Sequence, residues 1–335
     1  MRRFADSFKE KRTLKETQLF VSGQDGYDTY RIPALVVSNR GTLLAFCEGR
    51  KHSRSDSGEI AILLKRSFDN GQTWETMQVV VDDGPHTDGN PAPVVDSSTG
   101  TIWLLFCRNL ADGPESMIIA GKAPRTVWIT YSTDDGATWV EAKEITEDVK
   151  AASWTWYATG PCHGLQLQSG RLAIPCDHVD GNTRDYSAFG HSHIIYSDDH
   201  GENWRVGGIA QAGTNESVVA QTVDGRLYLN CRNYRDEKRR AYAWSDNNGD
   251  TFSQFGYHDN LVEPICQASM IRYTDVATHD KNRILFANPA SAKRERMTVR
   301  ISYDECHQHL IVAEVEETAA FYEATFGAQK TEATE

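Results

Sequence analysis

Two pairs of charged residues stand where the sequence could support acid–base chemistry. Asp56 follows Arg50 by six residues, in the charge-rich segment RKHSRSDSG. Glu216 precedes Arg232 by sixteen residues, a spacing that lets one turn between two strands bring both side chains to the same pocket rim. A general acid needs partial desolvation to stay protonated, while neighbouring cations favour its ionised form. The spacing alone assigns no role to either carboxylate.

Both carboxylates also have an ordinary structural interpretation. Asp56 could be a solvated loop residue and Glu216 a surface residue, because acidic side chains are mostly exposed in proteins. The local sequence leaves these alternatives open, so the elements that position the two residues have to be considered.

A turn sequence recurs along the chain and predicts a repeated architecture. The segments SFDNGQTW and STDDGATW, which begin at Ser67 and Ser132, share five of eight positions. Weaker copies begin at Ser197 and Ser245, so that successive copies start 65, 65 and 48 residues apart. Each copy follows an apolar, β-branched or aromatic run and contains the Asp and Gly of a tight turn, which is typical of a hairpin. Repeats of this length indicate the blades of a β-propeller.

Further strands are predicted between the copies, whereas no segment before the last thirty residues shows a persuasive helical period. The segments are RIPALVVS with GTLLAFCEGR, PAPVVDSSTGTIWLLFCRN, GLQLQSGRLAIPCDHV, VVAQTVDGRLYLNCRN, and SMIRY with NRILFANP. The sequence thus predicts an all-β, single-domain propeller. A turn repeated around a propeller serves every blade as a structural corner, since its copies cannot converge on one ligand.

Bulk properties exclude several classes of function. The 335 residues carry a formal net charge of -12, so no overall basic field favours nucleic acid or an anionic membrane. We find no apolar run long enough for a transmembrane helix and no signal peptide, which predicts a soluble, cytoplasmic protein. The seven dispersed cysteines form no CxxC pair and are typical of buried, reduced thiols. The pairs His191/His193 and His307/His309 lack an evident third metal ligand.

The segment YRIPAL, which contains Arg31, combines with the repeated turns to give a specific resemblance. Together they resemble the sialidase (neuraminidase) family, in which an arginine in F/Y-R-I-P precedes such boxes on a six-bladed propeller. The resemblance runs from about Gln18 to Asp304. It implies an N-terminal extension over residues 1–17, a propeller over 18–305 and a divergent tail over 306–335.

The resemblance implies a site built around the carboxylate of a terminal sialic acid. Three arginines would bind that carboxylate, because a planar guanidinium group suits it well. They match Arg31, Arg232 and Arg294, with Arg296 as a competitor for the third position. Arg50 would help to hold the substrate and the neighbouring acid. Asp56 would act as general acid and then base, and Glu216 would activate a neutral tyrosine nucleophile.

Other segments resemble parts of the family that line the sugar, although packing at strand ends would explain them almost as well. These residues are Asn90, Tyr157, Asp177, His178 and Gln267.

The resemblance fails near the C-terminus. A last box begins as Ser302-Tyr303-Asp304-Glu305 but loses its Gly, Thr and Trp, and Tyr322 lacks the family's context. No nucleophile is assigned, and we expect the last blade to be incomplete or altered. The sequence predicts an exo-alpha-sialidase without a cofactor that acts on glycoproteins, gangliosides or oligosaccharides. A non-catalytic sialic-acid-binding propeller, a repeat scaffold, a lysosomal location and peripheral membrane association remain alternatives.

Overall fold

The computed structural model describes residues 17–307 and 310–312. Within them the chain forms five blades, each containing at least four strands. The first contains β1 (Thr29–Val37), β2 (Leu43–Arg50), β3 (Ile60–Ser67) and β4 (Gln78–Val81). The second contains β5 (Thr87–Val95), β6 (Ile102–Asn109), β7 (Arg125–Ser132) and β8 (Lys143–Glu144). The third contains β9 (Trp154–Thr159), β10 (Leu165–Gln166), β11 (Leu172–Asp180), β12 (Gly190–Ser197) and β13 (Arg205–Ala212).

The fourth blade contains β14 (Thr214–Gln221), β15 (Leu227–Asn233), β16 (Arg239–Ser245) and β17 (Ser253–Val262). The fifth contains β18 (Ser269–Thr274), β19 (Arg283–Pro289), β20 (Met297–Ser302) and β21 (Leu310–Val312). Among residues 17–307, three short helices lie in the connections, namely α1 (Glu115–Ile119), α2 (Thr146–Val149) and α3 (Tyr186–Phe189). The prediction of an all-β chain is therefore confirmed.

Strand pairing within the blades is antiparallel, and in the described part of the chain a single parallel pair, Ile60 with Thr87, connects the first blade to the second. The first strands of the first three blades contact each other, β14 contacts β11 of the third blade, and β18 contacts β14, so the blades follow one another around a common axis. This is the arrangement predicted from the repeated turns. The predicted number of six blades remains a prediction.

Buried apolar side chains fill the spaces between successive blades. At the first of these interfaces, Leu44 and Phe46 of β2 pack with Leu104 and Phe106 of β6, and all four side chains are inaccessible to solvent. Burying one such side chain stabilises the fold by about 1.5–3 kcal/mol. Equivalent clusters join the second blade to the third, the third to the fourth and the fourth to the fifth.

The repeated turn forms the same hydrogen bonds in each blade. In the first copy, Ser67 Oγ donates to Asp69 Oδ1 at 2.8 Å and accepts from the backbone N–H of Gly71 at 2.8 Å. Thr73 then donates to Asp69 through its backbone N–H and its hydroxyl group. The serine contacts recur in the copies that begin at Ser132, Ser197 and Ser245. The box is thus a structural corner.

The altered last box keeps the backbone of this turn. Ser302 Oγ donates to Asp304 Oδ1 and accepts from the N–H of Cys306, each at 2.8 Å. Cys306 has a φ of +66° at the position where the other copies have glycine. A residue with a Cβ in this region costs about 1–2 kcal/mol. Loss of the glycine therefore strains the described part of the last box without changing its form.

Candidate active site

A bulge in the first strand of the propeller directs Arg31. The register of β1 against β2 shifts between Arg31 and Ala34, and Ile32 between them has a φ of +57°. Left-handed backbone is unfavourable for a β-branched residue, and bulges commonly redirect a side chain beside a functional site. Asn90 has the same φ at a corresponding shift in β5.

Arg31 and Arg50 bind Asp56 together. Nη1 of each arginine donates to Oδ1 of Asp56 at 2.7 Å. Arg50 is itself buried and held by Glu48, whose Oε2 accepts from Nε of Arg50 at 3.0 Å. The other oxygen of Glu48 accepts from the backbone N–H of Asn90 at 2.8 Å. The loop that carries Asp56 is thus fixed to two adjacent blades.

These contacts determine the charge of Asp56. Burial raises the pKa of its carboxyl group, but the charges of Arg50 and Arg31 and their hydrogen bonds together lower this pKa by a larger amount. The net result is a pKa below the ordinary value, although the side chain is 66% exposed. Asp56 can become a proton donor when another anion competes for the same guanidinium groups.

Glu216 and Arg232 meet as their sixteen-residue spacing predicts. They extend from the neighbouring strands β14 and β15, and Nη1 of Arg232 donates to Glu216 Oε2 at 2.6 Å. Burial lowers the pKa of Arg232, but the negative charge of Glu216 raises it more. Nη2 of Arg232 donates to the hydroxyl group of Tyr234. Arg232 therefore remains charged and oriented by two partners.

Two tyrosines extend this arrangement toward the second blade. The ring of Tyr234 stacks on Tyr186 with 4.8 Å between centroids, and Tyr186 donates to Glu115 of α1. The pKa of Tyr234 is raised to about 12. Burial is the largest cause, the positive charge of Arg232 opposes the increase, and the negative charge of Glu216 adds to it. Sequence analysis missed both tyrosines and Glu115, because they lie in connections without a repeated pattern.

The charge of Arg294 acts on Arg31. Burial lowers the pKa of Arg31, and the positive charges of Arg50 and Arg294 lower it further. Arg294 also donates to the backbone carbonyl of Ile265 at 3.2 Å. Arg296 instead acts on Arg300. Burial is the main cause of the lowered pKa of Arg300, and the positive charge of Arg296 lowers it further. Of the two competing arginines, Arg294 is thus the one that shares the electrostatic surroundings of Arg31.

Asp177 is buried next to the Glu216 pair. Its Oδ2 accepts from Asn215 Nδ2 at 2.9 Å, whereas its Oδ1 has no hydrogen-bond partner among the described residues. Burial raises the pKa of Asp177 well above its usual range, and the charge of Glu216 raises it further. The neutral form of Asp177 is therefore favoured.

Two of the predicted sugar-lining amides are already engaged in the protein. The side-chain oxygen of Asn90 accepts from Arg125 at 2.6 Å. Gln267 donates to the carbonyl groups of Pro161 and Ser217 and accepts from the backbone N–H of Ala268. The Asn90 contact lies within the second blade, and the Gln267 contacts reach the third and fourth blades, which is a structural explanation for both residues.

Tyr157 and His178 lie in the core, so the structure does not support either side chain as part of the wall of a sugar-binding pocket. Tyr157 is completely buried and His178 is 2% exposed. His178 stacks on Trp154 at 3.5 Å between centroids, and its Nδ1 lies 3.0 Å from Nδ1 of His193. Burial, together with a smaller effect of His191, lowers the pKa of His193 to about 3. The physical reason is that β9 and β11 are covered on both faces.

Metal binding and membrane crossing find no support in the described part of the chain. No group of three or more His, Cys, Asp or Glu side chains within it could hold a metal ion. His307 stacks on Trp244, and His309 lies outside the described residues. No helix within the same ranges is long and apolar enough to cross a bilayer. All seven cysteines lie within residues 17–307 and are free thiols.

Comparisons with known proteins agree with the fold and the motifs. A family model described as a BNR repeat-like domain matches residues 41–321, which extends past the predicted boundary at residue 305. An exo-alpha-sialidase of Arthroderma benhamiae is 34% identical over 304 residues, covering 84% of this chain and 68% of that protein. Sialidase-3 of Homo sapiens is 31% identical over 310 residues, covering 82% of this chain and 71% of that protein.

A solved structure gives the same result. The Hadza microbial sialidase Hz136 superposes with a TM-score of 0.76 at 32% identity. The match covers 86% of this chain but only 58% of that structure. Sequence and structure therefore agree over most of the chain, and the chain belongs to the sialidase family.

Proposed function

We propose that the protein is an exo-alpha-sialidase, a glycoside hydrolase that releases terminal sialic acid from sialylated glycans. The observation that carries this proposal is the shared hydrogen bonding of Asp56 by Arg31 and Arg50. A proposed carboxylate-binding arginine and the proposed general acid are thereby in direct contact. The names of the similar proteins favour hydrolysis over sugar binding alone.

Arg31, Arg232 and Arg294 would bind the carboxylate of the sugar. The positive charge of Arg294 lowers the pKa of Arg31. Burial raises the pKa of Cys266, and the charges of Arg294, which lowers it, and Glu216, which raises it, both act on this thiol. These couplings support a common site for the three arginines. A carboxylate held by guanidinium forks gains charge-assisted hydrogen bonds that fix its plane.

Substrate binding would prepare Asp56 for proton donation. The incoming carboxylate offsets the positive charge of Arg31, which in the structure lowers the pKa of Asp56. The pKa of Asp56 therefore rises on binding, and the protonated carboxyl group donates to the glycosidic oxygen as the bond breaks. The same residue then accepts a proton from the water that completes hydrolysis.

Glu216 would serve as the base for a neutral nucleophile. A negatively charged nucleophile would approach the anomeric carbon against the substrate carboxylate, so a tyrosine activated by glutamate suits this reaction. The Arg232 contact at 2.6 Å orients Glu216. We assign no nucleophile, and Tyr322 lies outside the described residues.

The finer aspects of the function also belong to the proposal. We retain glycoproteins, gangliosides and oligosaccharides as substrates, with no cofactor and no nucleic-acid partner. We propose the cytoplasm as the location, with the lysosome or peripheral membrane attachment as alternatives. The segments 1–17, 18–305 and 306–335 remain the proposed divisions of the chain.

Proton NMR spectroscopy of the reaction tests the proposal. Two successive displacements retain configuration, so the first sialic acid released from an α-sialoside should be the α-anomer. Initial release of the β-anomer would contradict the proposed sequence of steps. No release by folded protein that still binds the sugar would favour a binding protein.

A further inference from the structure

A cavity of about 540 Å³ lies between connections of the second and third blades. Its walls come from the segment between α1 and β7, the segment between α2 and β9, and the turn after β11. Neither Asp56, Glu216 nor any arginine of the proposed reaction lines this cavity, so it is separate from that site. The volume is within the range of about 300–1,000 Å³ that small-molecule sites occupy.

The charged residues that line the cavity, Arg125 and Lys150, are both cations. The buried guanidinium group of Arg125 donates to the side-chain oxygen of Asn109 at 2.7 Å and to that of Asn90 at 2.6 Å. It also donates to the backbone carbonyl of Tyr157. All three acceptors are neutral, so no ion pair within residues 17–307 compensates the charge of Arg125.

The ammonium group of Lys150 also has neutral partners. Its Nζ donates to the backbone carbonyls of Arg125 at 2.7 Å and of Thr155 at 3.1 Å. An ammonium group carries three donors, so one N–H of Lys150 has no acceptor among the described residues. Burial is the main cause that lowers the pKa of Lys150 to about 8, while Cys107 opposes the decrease and the charge of Arg125 adds to it. Most of the amine is therefore still charged at neutral pH.

We infer that this cavity binds a small organic carboxylate. Buried charges in proteins are usually paired, yet these two neighbouring cations face one cavity without a carboxylate from residues 17–307. A ligand carboxylate can accept the remaining N–H of Lys150 in a charge-assisted hydrogen bond, and its negative charge offsets both cations.

The uncharged part of the wall indicates an organic ligand rather than an inorganic ion. Ile118, Pro124 and Trp154 line the cavity together with the two cations. A water molecule occupies only about 30 Å³ in the liquid, so a chloride or sulfate ion would leave most of the cavity empty of ligand. An apolar body attached to the carboxylate covers these walls, as is usual where a few polar groups orient a ligand.

Hydrogen bonds between the connections fix the walls of the cavity. The backbone N–H of Gly181 donates to the carbonyl of Ser153 at 2.9 Å, and the hydroxyl group of Thr155 donates to the carbonyl of Gly181 at 2.7 Å. On the opposite wall Gly121 approaches Asn182 so closely that a Cβ would lie 3.0 Å from its Oδ1. A cavity that is already formed needs little ordering when a ligand binds.

Calorimetric titration with benzoate and benzamide tests the inference, because the two probes share a ring but differ in charge. We expect the wild-type protein to bind benzoate at least about tenfold more tightly than benzamide. Lys150→Met, which removes the charge but keeps an unbranched side chain, should weaken benzoate binding at least about tenfold and benzamide binding by no more than about twofold. Lys143→Met, which changes an exposed lysine of β8, is the control.

Two further variants locate the bound benzoate. Ala152→Phe adds bulk at the exposed rim of the cavity and should abolish benzoate binding without removing a side-chain hydrogen bond, so it also serves if Lys150→Met does not fold. Arg294→Ala alters an arginine that does not line the cavity and should leave benzoate binding within about twofold.

The inference would be overturned by a wild-type protein that binds no benzoate or binds both probes equally. Unchanged benzoate binding in Ala152→Phe would also overturn it, as would loss of binding in Arg294→Ala, which would place the probe among the substrate-binding arginines. Because the titration measures no turnover, its result is independent of the proposed hydrolysis.

Discussion

Nη1 of Arg31 donates a 2.7 Å hydrogen bond to Oδ1 of Asp56, although the two residues are 25 positions apart in the chain. The contact links a residue proposed to bind the substrate with the residue proposed to donate a proton. Since one guanidinium group serves both, substrate binding and the protonation of Asp56 are energetically coupled.

This coupling predicts different pH profiles for kcat/KM and kcat. Asp56 is active when protonated, so activity is highest below its pKa and declines as the pH rises through it. In the free protein the pKa is lowered, whereas the bound carboxylate raises it. The decline in kcat should therefore occur at higher pH than the decline in kcat/KM. Initial rates from acidic to neutral pH test this, and coincident profiles would contradict the coupling.

Arg294→Ala should impair catalysis much more than Arg296→Ala. A charge-assisted hydrogen bond to the substrate carboxylate contributes about 1.5–3 kcal/mol, so kcat/KM should fall by about 10–150-fold in the first variant. The second should change it by no more than about threefold, because Arg294 is the one that acts on Arg31. The reverse order would assign the third position to Arg296.

Glu216→Gln should abolish most of the turnover while the sugar still binds. The amide can keep a contact with Arg232 but cannot accept a proton, and loss of a general base typically lowers kcat by about 10²–10⁴-fold. Stopped assays for kcat and equilibrium binding of sialic acid measure the two effects separately. Glu202→Gln, an exposed change in the third blade, is the control. Unchanged kcat in Glu216→Gln would remove this residue from the mechanism.

A box glycine and the glycine of the turn between β10 and β11 permit a stability prediction with a matched pair. Gly201 and Gly170 have φ values of +96° and +92°, but a Cβ at Gly201 would lie 2.1 Å from the Trp103 ring, whereas a Cβ at Gly170 meets nothing within 4 Å. Both alanine variants should be strained by about 1 kcal/mol, and Gly201→Ala should lose about 1–3 kcal/mol more through overpacking. Urea unfolding measures the difference. Equal free energies of unfolding in the two variants would show that the turn and the ring adjust together.

Local patterns in the sequence were sufficient to predict the repeated turns and the all-β chain. The Ser67 box forms hydrogen bonds within seven residues, so its sequence largely determines its structure. The contact between Glu216 and Arg232 was predictable for a similar reason, because two neighbouring strands carry them.

Burial was less predictable than the strands themselves. Tyr157 and His178 are polar residues on strands that are covered on both faces. In such strands the alternation of apolar and polar residues no longer shows which side chains lie in the core and which line a pocket. Glu48 could have been found, since it precedes Arg50 by two residues and strand periodicity places both on one face. Tyr186 and Glu115 depend on how two connections meet, which no local pattern specifies.

Release of sialic acid from an α-sialoside by the wild type and by Asp56→Asn, together with the binding of free sialic acid, tests the central claim most directly. We expect turnover by the wild type, a decrease of at least about 100-fold in the variant, and binding within about threefold. Equal turnover by the two proteins, or no turnover by a folded wild type, would contradict the assignment of Asp56 as the general acid of a sialidase.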